Sequence, residues 1–197
     1  HQGNSWPVII DVAPSISMTL IEDCEQEHDQ QQTLWLRLGA NSAVTHARNS
    51  FGTTALHWQF VSVQVHTAGQ YRLHNHALAS TLRRQDTQIQ LVGRGAHAEL
   101  TSAVMVAERL NLDQQITIEH INAHTTSRQR VHNIVADRGK CTFNGRIHIH
   151  EGAKSSDAQL SNKNLGLGAN ATINTKPELE IYNDDVSCAH GATIGQL

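Results

Sequence analysis

The sequence is poor in the residues that would place it in several common classes of protein. Aromatic residues make up 4% of its 197 residues, and it has only three cysteines and three prolines. Three cysteines are an odd and sparse set, so a secreted disulfide scaffold is disfavoured and we expect a reducing compartment, the cytoplasm. The longest apolar run, residues 103–107, is far shorter than the ~20 residues of a membrane-spanning helix.

The charged residues also lack a bias toward one sign. There are 15 lysines and arginines against 18 acidic residues, and Arg83-Arg84 is the only adjacent basic pair, so no basic stripe for nucleic acid is expected. Residues 1–7 have neither the basic start nor the apolar stretch of a signal peptide, and the first residue is not Met. We therefore expect a single domain over residues 1–197, cut from a longer chain.

The sequence is rich in runs that alternate between apolar and polar residues, which is typical of β-strands. Residues 33–38, 56–66, 87–92 and 116–121 alternate in this way, and Gly, Asn and Asp separate the runs. One stretch, residues 103–110, fits either a helix or a strand. The pattern predicts an all-β domain with almost no helix.

The C-terminal third repeats. Frames that begin at Thr126, Cys141, Gln159, Ile173 and Cys188 follow one another at spacings of 15, 18, 14 and 15 residues. Most frames carry aliphatic residues at the sixth and eighth positions and polar residues after them, which predicts the stacked coils of a parallel β-helix. We expect a coil of about 15 residues, with two short strands and two corners.

This frame assigns side chains to the inside and the outside of the tube. Alternate residues of a strand point to opposite faces, so His148 and His150 are predicted to face outward. The residues predicted to face inward at the same level are Ile134, Ile147, Ile149, Leu167, Leu179 and Ile181.

Two His-x-His pairs occur, at His74 and His76 and at His148 and His150. Such a pair places two imidazoles on one strand face and can seat a transition metal, but two ligands do not complete a tetrahedral site. We favour the simpler interpretation of outward-facing histidines on an exposed sheet.

Two other patterns have structural explanations. Residues 166–171 match the dinucleotide pattern G-x-G-x-x-A, but strand-like residues follow where the motif requires a helix. The adjacent carboxylates of Asp184 and Asp185 are predicted to satisfy backbone donors in a turn.

Cys188-Ala189-His190-Gly191 is the constellation that stands out. Cys188 and His190 lie two residues apart and share a strand face, and a thiolate with an imidazole suits a soft metal or an iron–sulfur cluster. The alternative is that Cys188 is an inert core thiol, because Cys141 occupies the equivalent position of an earlier frame. His190 is harder to explain structurally, since a buried imidazole needs a hydrogen-bonding partner.

Residues 176–195, KPELEIYNDDVSCAHGATIG, closely resemble the signature of the SufB/SufD family, the scaffold subunits of the SUF iron–sulfur cluster assembly system. Residues 128–152 and 8–12 also resemble the family. The C-A-H-G form of the motif resembles the SufD branch.

The resemblance implies a right-handed parallel β-helix and a non-catalytic role. It implies pairing with SufB through the β-helix ends, and binding of the SufC ATPase through a C-terminal helical domain. This chain stops at Leu197 and lacks that domain and an N-terminal helical region, so we expect a core domain truncated at both ends. Carried over from the family, His190 is a candidate ligand for iron or a transient iron–sulfur cluster at the subunit interface, with Cys188 beside it. In isolation a homodimer is expected.

Two other functions remain open from the residues alone. One is a secreted, polysaccharide-active β-helix enzyme of the pectate-lyase kind, and the other is an adhesin-like structural solenoid. The missing signal peptide and the few aromatic residues disfavour the first, and export with longer repetition would be expected of the second.

Overall fold

The computed structural model describes residues 7–25, 28–51 and 56–197, a part of the chain with fourteen strands and no helix, hence none that could span a membrane. Odd-numbered strands form one seven-stranded sheet, the odd sheet, and even-numbered strands form the even sheet. The odd sheet contains β1 (Val8–Val12), β3 (Gln30–Leu38), β5 (Leu56–Val65), β7 (Leu82–Leu91), β9 (Asn111–His120), β11 (Lys140–Ile149) and β13 (Thr172–Ile181). The even sheet contains β2 (Ser17–Glu25), β4 (Ala43–Phe51), β6 (Gln70–Leu78), β8 (His97–Val106), β10 (Thr126–Ala136), β12 (Ser156–Leu167) and β14 (Val186–Gln196).

Neighbouring strands are parallel throughout both sheets, so the chain winds as a β-solenoid, which confirms the predicted all-β architecture. The predicted coil length is wrong, because a full turn is about twice as long. Val8 pairs with Leu34, and Thr126 pairs with Asp157. The strands are longer than expected, so one strand and one corner together account for the repeat seen in the sequence. That repeat is therefore half a turn of the solenoid. The ambiguous stretch 103–110 contains the end of β8 and a turn.

One of the two corners is built in the same way in six successive turns. Each of these corners has one residue with a positive φ, between 51° and 69°, namely Ser15, Asn41, Ala68, Gly95, His124 and Ser155. The amide of each donates to a carbonyl of the next turn, as Asn41 N does to Thr67 O at 2.9 Å. The left-handed conformation costs a non-glycine residue about 1–2 kcal/mol, which these stacked hydrogen bonds offset.

On β11 and β13 the predicted register is confirmed. Ile147 and Ile149 are fully buried, and His148 between them faces outward. Leu179 and Ile181 pair with Ile147 and Ile149, so they lie in the same inward-facing columns of the stack. These columns form one wall of the larger apolar core.

On β10 and β12 the predicted register is wrong by one residue. Ile134 and Leu167, predicted to lie inside, are 39% and 37% exposed and lie on the outer face. The neighbouring interior positions are held by Asn133 and Asn164, and Asn133 Nδ2 donates to Asn164 Oδ1 at 2.8 Å. Because a hydrogen-bonded amide can be buried, the interior of the even sheet is partly polar. The aliphatic pattern therefore assigned the wrong face of these strands to the core.

Candidate functional site at the open end of the solenoid

The candidate site lies on β14, the last strand of the even sheet. β14 pairs with β12 along one edge. In the odd sheet, the last strand β13 likewise pairs with β11 along one edge. In the described part of the chain neither has a strand on its other side. Within the described residues, the last turn therefore has two unpaired backbone edges and an uncovered interior.

Cys188 and His190 share the inward face of β14, because they pair with the buried residues Ala158 and Leu160 of β12. Cys188 is half-buried and packs against the apolar core. Burial, with a smaller contribution from Asp157, raises the pKa of its thiol, so the thiol is protonated at neutral pH in this chain.

His190 is exposed, although it stands in an interior column. The residue below it in the previous turn, Leu160, is only 3% exposed, and His190 differs because no further turn of the described chain covers it. Among the described residues, its imidazole makes no hydrogen bond, ion pair or ring contact. Both ring nitrogens are therefore without a partner among the described residues.

The side chains at this end are those that the sequence predicts as candidate metal ligands. This end offers one free imidazole and one half-buried thiol, a pair that suits a soft metal or an iron–sulfur cluster. The parts of the chain that the structure describes contain no group of three or more His, Cys, Asp or Glu side chains arranged to hold a metal ion. A tetrahedral site needs four ligands, so any metal held here takes further donors from elsewhere.

The other cysteine of the repeat behaves as the sequence predicts of a core thiol. Cys141 is 1% exposed in the smaller apolar cluster, and burial raises its pKa to about 12. A thiol with such a pKa is neutral and unreactive at physiological pH.

The other patterns singled out in the sequence do not contribute side chains to the site formed by Cys188 and His190. Residues 166–171 cover the end of β12 and a turn, and the strand β13 follows, so the helix that the dinucleotide motif requires is not there. Asp184 and Asp185 lie between β13 and β14, but the Asp185 carboxylate accepts from the Ser155 hydroxyl at 2.9 Å and not, as predicted, from a backbone donor. Both His-x-His pairs face outward: His74 and His76 lie on β6, His148 lies on β11, and His150 directly follows that strand.

Sequence reasoning missed a buried polar network in the first turns. Tyr71 donates from its hydroxyl to His46 Nδ1 at 2.8 Å, and His46 Nε2 donates to Glu22 Oε2 at 3.1 Å. The buried Arg48 guanidinium lies 3.3 Å from the same carboxylate oxygen. Burial alone would raise the pKa of Glu22. The hydrogen bond from His46 and the charge of Arg48 together outweigh burial, so the pKa of Glu22 lies below its usual range. The only signal in the sequence was that His46 and Arg48 lie two and four residues after Val44 and so share its strand face. This signal is too weak to assign them to the interior.

Fold and site together define a class: a parallel β-solenoid whose last turn is open and presents an unpartnered imidazole beside a half-buried thiol. Residues 2–197 match the family model described as SUF system FeS cluster assembly, SufBD core domain. The chain therefore belongs to the SufBD family of iron–sulfur cluster assembly proteins.

Individual relatives refine this assignment. The chain is 31% identical to the iron–sulfur cluster assembly protein SufD of Escherichia coli over 194 residues, which cover 95% of this chain and 46% of SufD. A SufBD family protein of Synechocystis is 34% identical over 161 residues, 81% of this chain and 36% of that protein. The chloroplastic protein ABCI7 of Arabidopsis thaliana is 31% identical over 153 residues, 76% of this chain and 31% of that protein. The chain is thus a SufD homologue and spans less than half the length of these relatives.

Proposed function

We propose that this chain is the β-solenoid core of a non-catalytic, SufD-like scaffold subunit on which iron–sulfur clusters are built before transfer. The observation that carries the proposal is the unpartnered imidazole of His190 on the interior face of an edge strand. Iron and sulfide are the cargo of such a scaffold rather than a resident cofactor. In this role His190 is the ligand, and Cys188 packs beside it.

The open last turn supports pairing with a second solenoid. Ile181 and Ile194 are 44% and 56% exposed although both stand in interior columns. The end of another solenoid would cover these side chains and pair with both free strand edges at once. We assign this partner to a SufB-type subunit in the cell and expect a homodimer of the isolated chain. Docking of a SufC-type ATPase is assigned to segments of the longer relatives that this chain does not cover.

The incomplete donor set supports a cluster site shared between subunits. One imidazole and one packed, protonated thiol do not hold a cluster alone, so a thiolate of the partner chain would complete the set. Such ligands must be reduced, and all three cysteines of this chain are free thiols. We therefore propose the cytoplasm, a reducing compartment, as the place of assembly.

The proposal is tested by replacing His190 with Ala in the full-length natural protein. Because the side chain is exposed and contacts nothing described, His190→Ala should leave folding and copurification of the partner nearly unchanged. Cluster assembly, measured in cells that depend on this protein, should be abolished. Cys188→Ser should have the milder effect, because the thiol packs in the core.

The matched control is His132→Ala, which removes another exposed histidine, on the outer face of β10. This variant should assemble clusters normally. Normal assembly in His190→Ala would overturn the proposed ligand, and loss of folding in that variant would show that His190 has a structural role instead.

A further inference from the structure

The outer face of the even sheet carries a column of aliphatic side chains that nothing in the described chain covers. Four successive turns each contribute one residue, and the strand pairing places these residues above one another: Leu78, Met105, Ile134 and Leu165. The first three are 37%, 49% and 39% exposed, and Leu165 is half-buried. We call this column the apolar stripe. A contiguous exposed apolar surface is typical of a face that another part of a protein covers.

A groove continues the apolar stripe at the corner where these strands end. It has a volume of about 670 Å³, and its lining includes Leu167, Arg109 and Arg138. The two arginines occupy equivalent positions in successive corners, because each directly follows a corner residue with a positive φ, Glu108 or Asp137. The groove is therefore part apolar and part basic.

The surroundings of the stripe carry unpaired positive charge. Over the described residues, the side chains of Arg109, Arg138 and Lys163 make no ion pair. Lys163 lies beside the stripe on the outer face of β12. The acidic groups at the same corners are Glu108 and Asp137, so three cations stand against two carboxylates. A segment that covers the stripe would therefore be stabilised by carboxylates of its own.

We propose that an amphipathic α-helix with an acidic flank lies along the apolar stripe, and that this helix belongs to the part of the natural protein that the chain does not cover. Its aliphatic face buries the stripe, and its carboxylates pair with Arg109 and Arg138. A strand cannot bind there, because the backbones of β8 and β10 are paired on both sides, whereas a helix is a usual cover for a sheet face. The stripe is about 14 Å long, which a helix of about ten residues spans.

Two observations favour a helix of the same protein. The chain covers 46% of SufD of Escherichia coli and 36% of the Synechocystis relative, so most of each relative lies outside the matched region. Leu197 is held beside the groove, where its N donates to Gly166 O at 3.0 Å and its O accepts from Gly168 N at 3.1 Å. Any residues that follow Leu197 in the natural protein therefore start at this groove. A second copy fits less well, because it would bring the same positive charges to the stripe.

A covered outer face also accounts for the unusual pattern of β10 and β12. Strands of a parallel sheet that are buried on both faces carry aliphatic residues on both. Val135 is fully buried inside the solenoid, and its neighbour Ile134 is in the stripe outside. The aliphatic residues that point outward on these strands are thus explained as the second buried face.

The experiment measures the access of a maleimide to the stripe in the full-length natural protein. Ile134→Cys places a thiol in the stripe, and Gln88→Cys places the matched control on the exposed outer face of β7. Mass spectrometry of peptides locates the label, so the three native cysteines do not interfere. Modification at position 134 should be at least about tenfold slower than at position 88, and dilution should not change this ratio.

The acidic flank is tested by adding Arg109→Glu/Arg138→Glu to the Ile134→Cys protein. Repulsion between the new carboxylates and those of the helix should raise the rate at position 134 toward that at position 88. Arg94→Glu reverses the charge of an exposed arginine at the other corner and should leave the rate slow. An unchanged far-ultraviolet circular dichroism spectrum excludes unfolding as the cause.

Equal rates at positions 134 and 88 would overturn the proposal, because the stripe would then be bare in the natural protein. Protection that disappears on dilution would assign the stripe to a second copy and would also overturn it. Protection that survives Arg109→Glu/Arg138→Glu would show that the occupant is not the acidic helix proposed. Cys188 and His190 are intact in every variant, so the result is independent of the cluster-assembly test of the scaffold function.

Discussion

A closed turn and the open last turn of the solenoid use the same interior columns with opposite results. In one column Ile149 is fully buried, whereas Ile181, directly above it, is 44% exposed. In another, Leu160 is 3% exposed, whereas His190 above it is open to solvent. The side chains of each column point the same way, so the difference comes from the missing neighbour and not from the register.

This difference shows that one strand pattern gives buried positions in the closed turns and exposed positions in the last described turn. In the closed turns an interior position is buried by the turns on either side, and a polar residue there needs an internal hydrogen bond. In the last described turn the same position is exposed, and the His190 imidazole there has no partner among the described residues. The three predictions that follow test this comparison, in order of decreasing expected effect.

The largest effect is expected from placing a charge in a closed column. Ile149→Asp should lower the free energy of unfolding by about 4 kcal/mol or more, because it buries an unpaired carboxylate. Ile181→Asp, one turn further in the same column, should lower it by only about 1 kcal/mol, because the position is open to water. Urea denaturation of both variants measures the two values, and similar losses would contradict the contrast between closed and open turns.

A smaller effect is expected from pH, through a histidine of the same column. His120 lies below Ile149, is hydrogen-bonded to Thr125 Oγ1 at 2.9 Å and Ser127 Oγ at 2.8 Å, and burial lowers its pKa to about 4. The unfolded chain takes up this proton near pH 6.5, so stability is complete above that pH and falls as the pH drops toward 4. The loss should approach about 3 kcal/mol.

Denaturation at several pH values checks this prediction against the variant His120→Gln, which should lose that part of the pH dependence. His132→Gln, an exposed histidine, should keep the wild-type slope. If His120→Gln also keeps the full slope, other groups carry the pH dependence and His120 is not held neutral by burial.

The smallest effect is expected at a position where the sequence pattern and the structure disagree. Ile134→Asp should change the free energy of unfolding by no more than about 0.5 kcal/mol, because the side chain is on the outer face of β10. Val135→Asp, one residue later and fully buried, should cost several times as much. If urea denaturation showed the larger loss for Ile134→Asp, the register that the aliphatic pattern predicts would be correct.

The sequence predicted the odd sheet better than the even sheet, for a physical reason. On β11 the buried residues Ile147 and Ile149 are aliphatic, so the alternation points to the correct face. On β10 and β12 the interior includes Asn133 and Asn164, which lie in neighbouring turns and are hydrogen-bonded to each other. Aliphatic side chains of these strands lie outside. A pattern based on hydrophobicity does not detect a buried polar position that is hydrogen-bonded to a residue of the next turn.

The local sequence determined the strands, the all-β class, the half-turn repeat and the shared face of Cys188 and His190, because these depend on a period of two residues. Its motif also indicated the family. Only the tertiary structure decided the length of a turn and the buried polar network around His46. It also separated a packed thiol at Cys188 from a free imidazole at His190. These features depend on contacts between successive turns and on where the stack ends, and neither is encoded in the alternation within one strand.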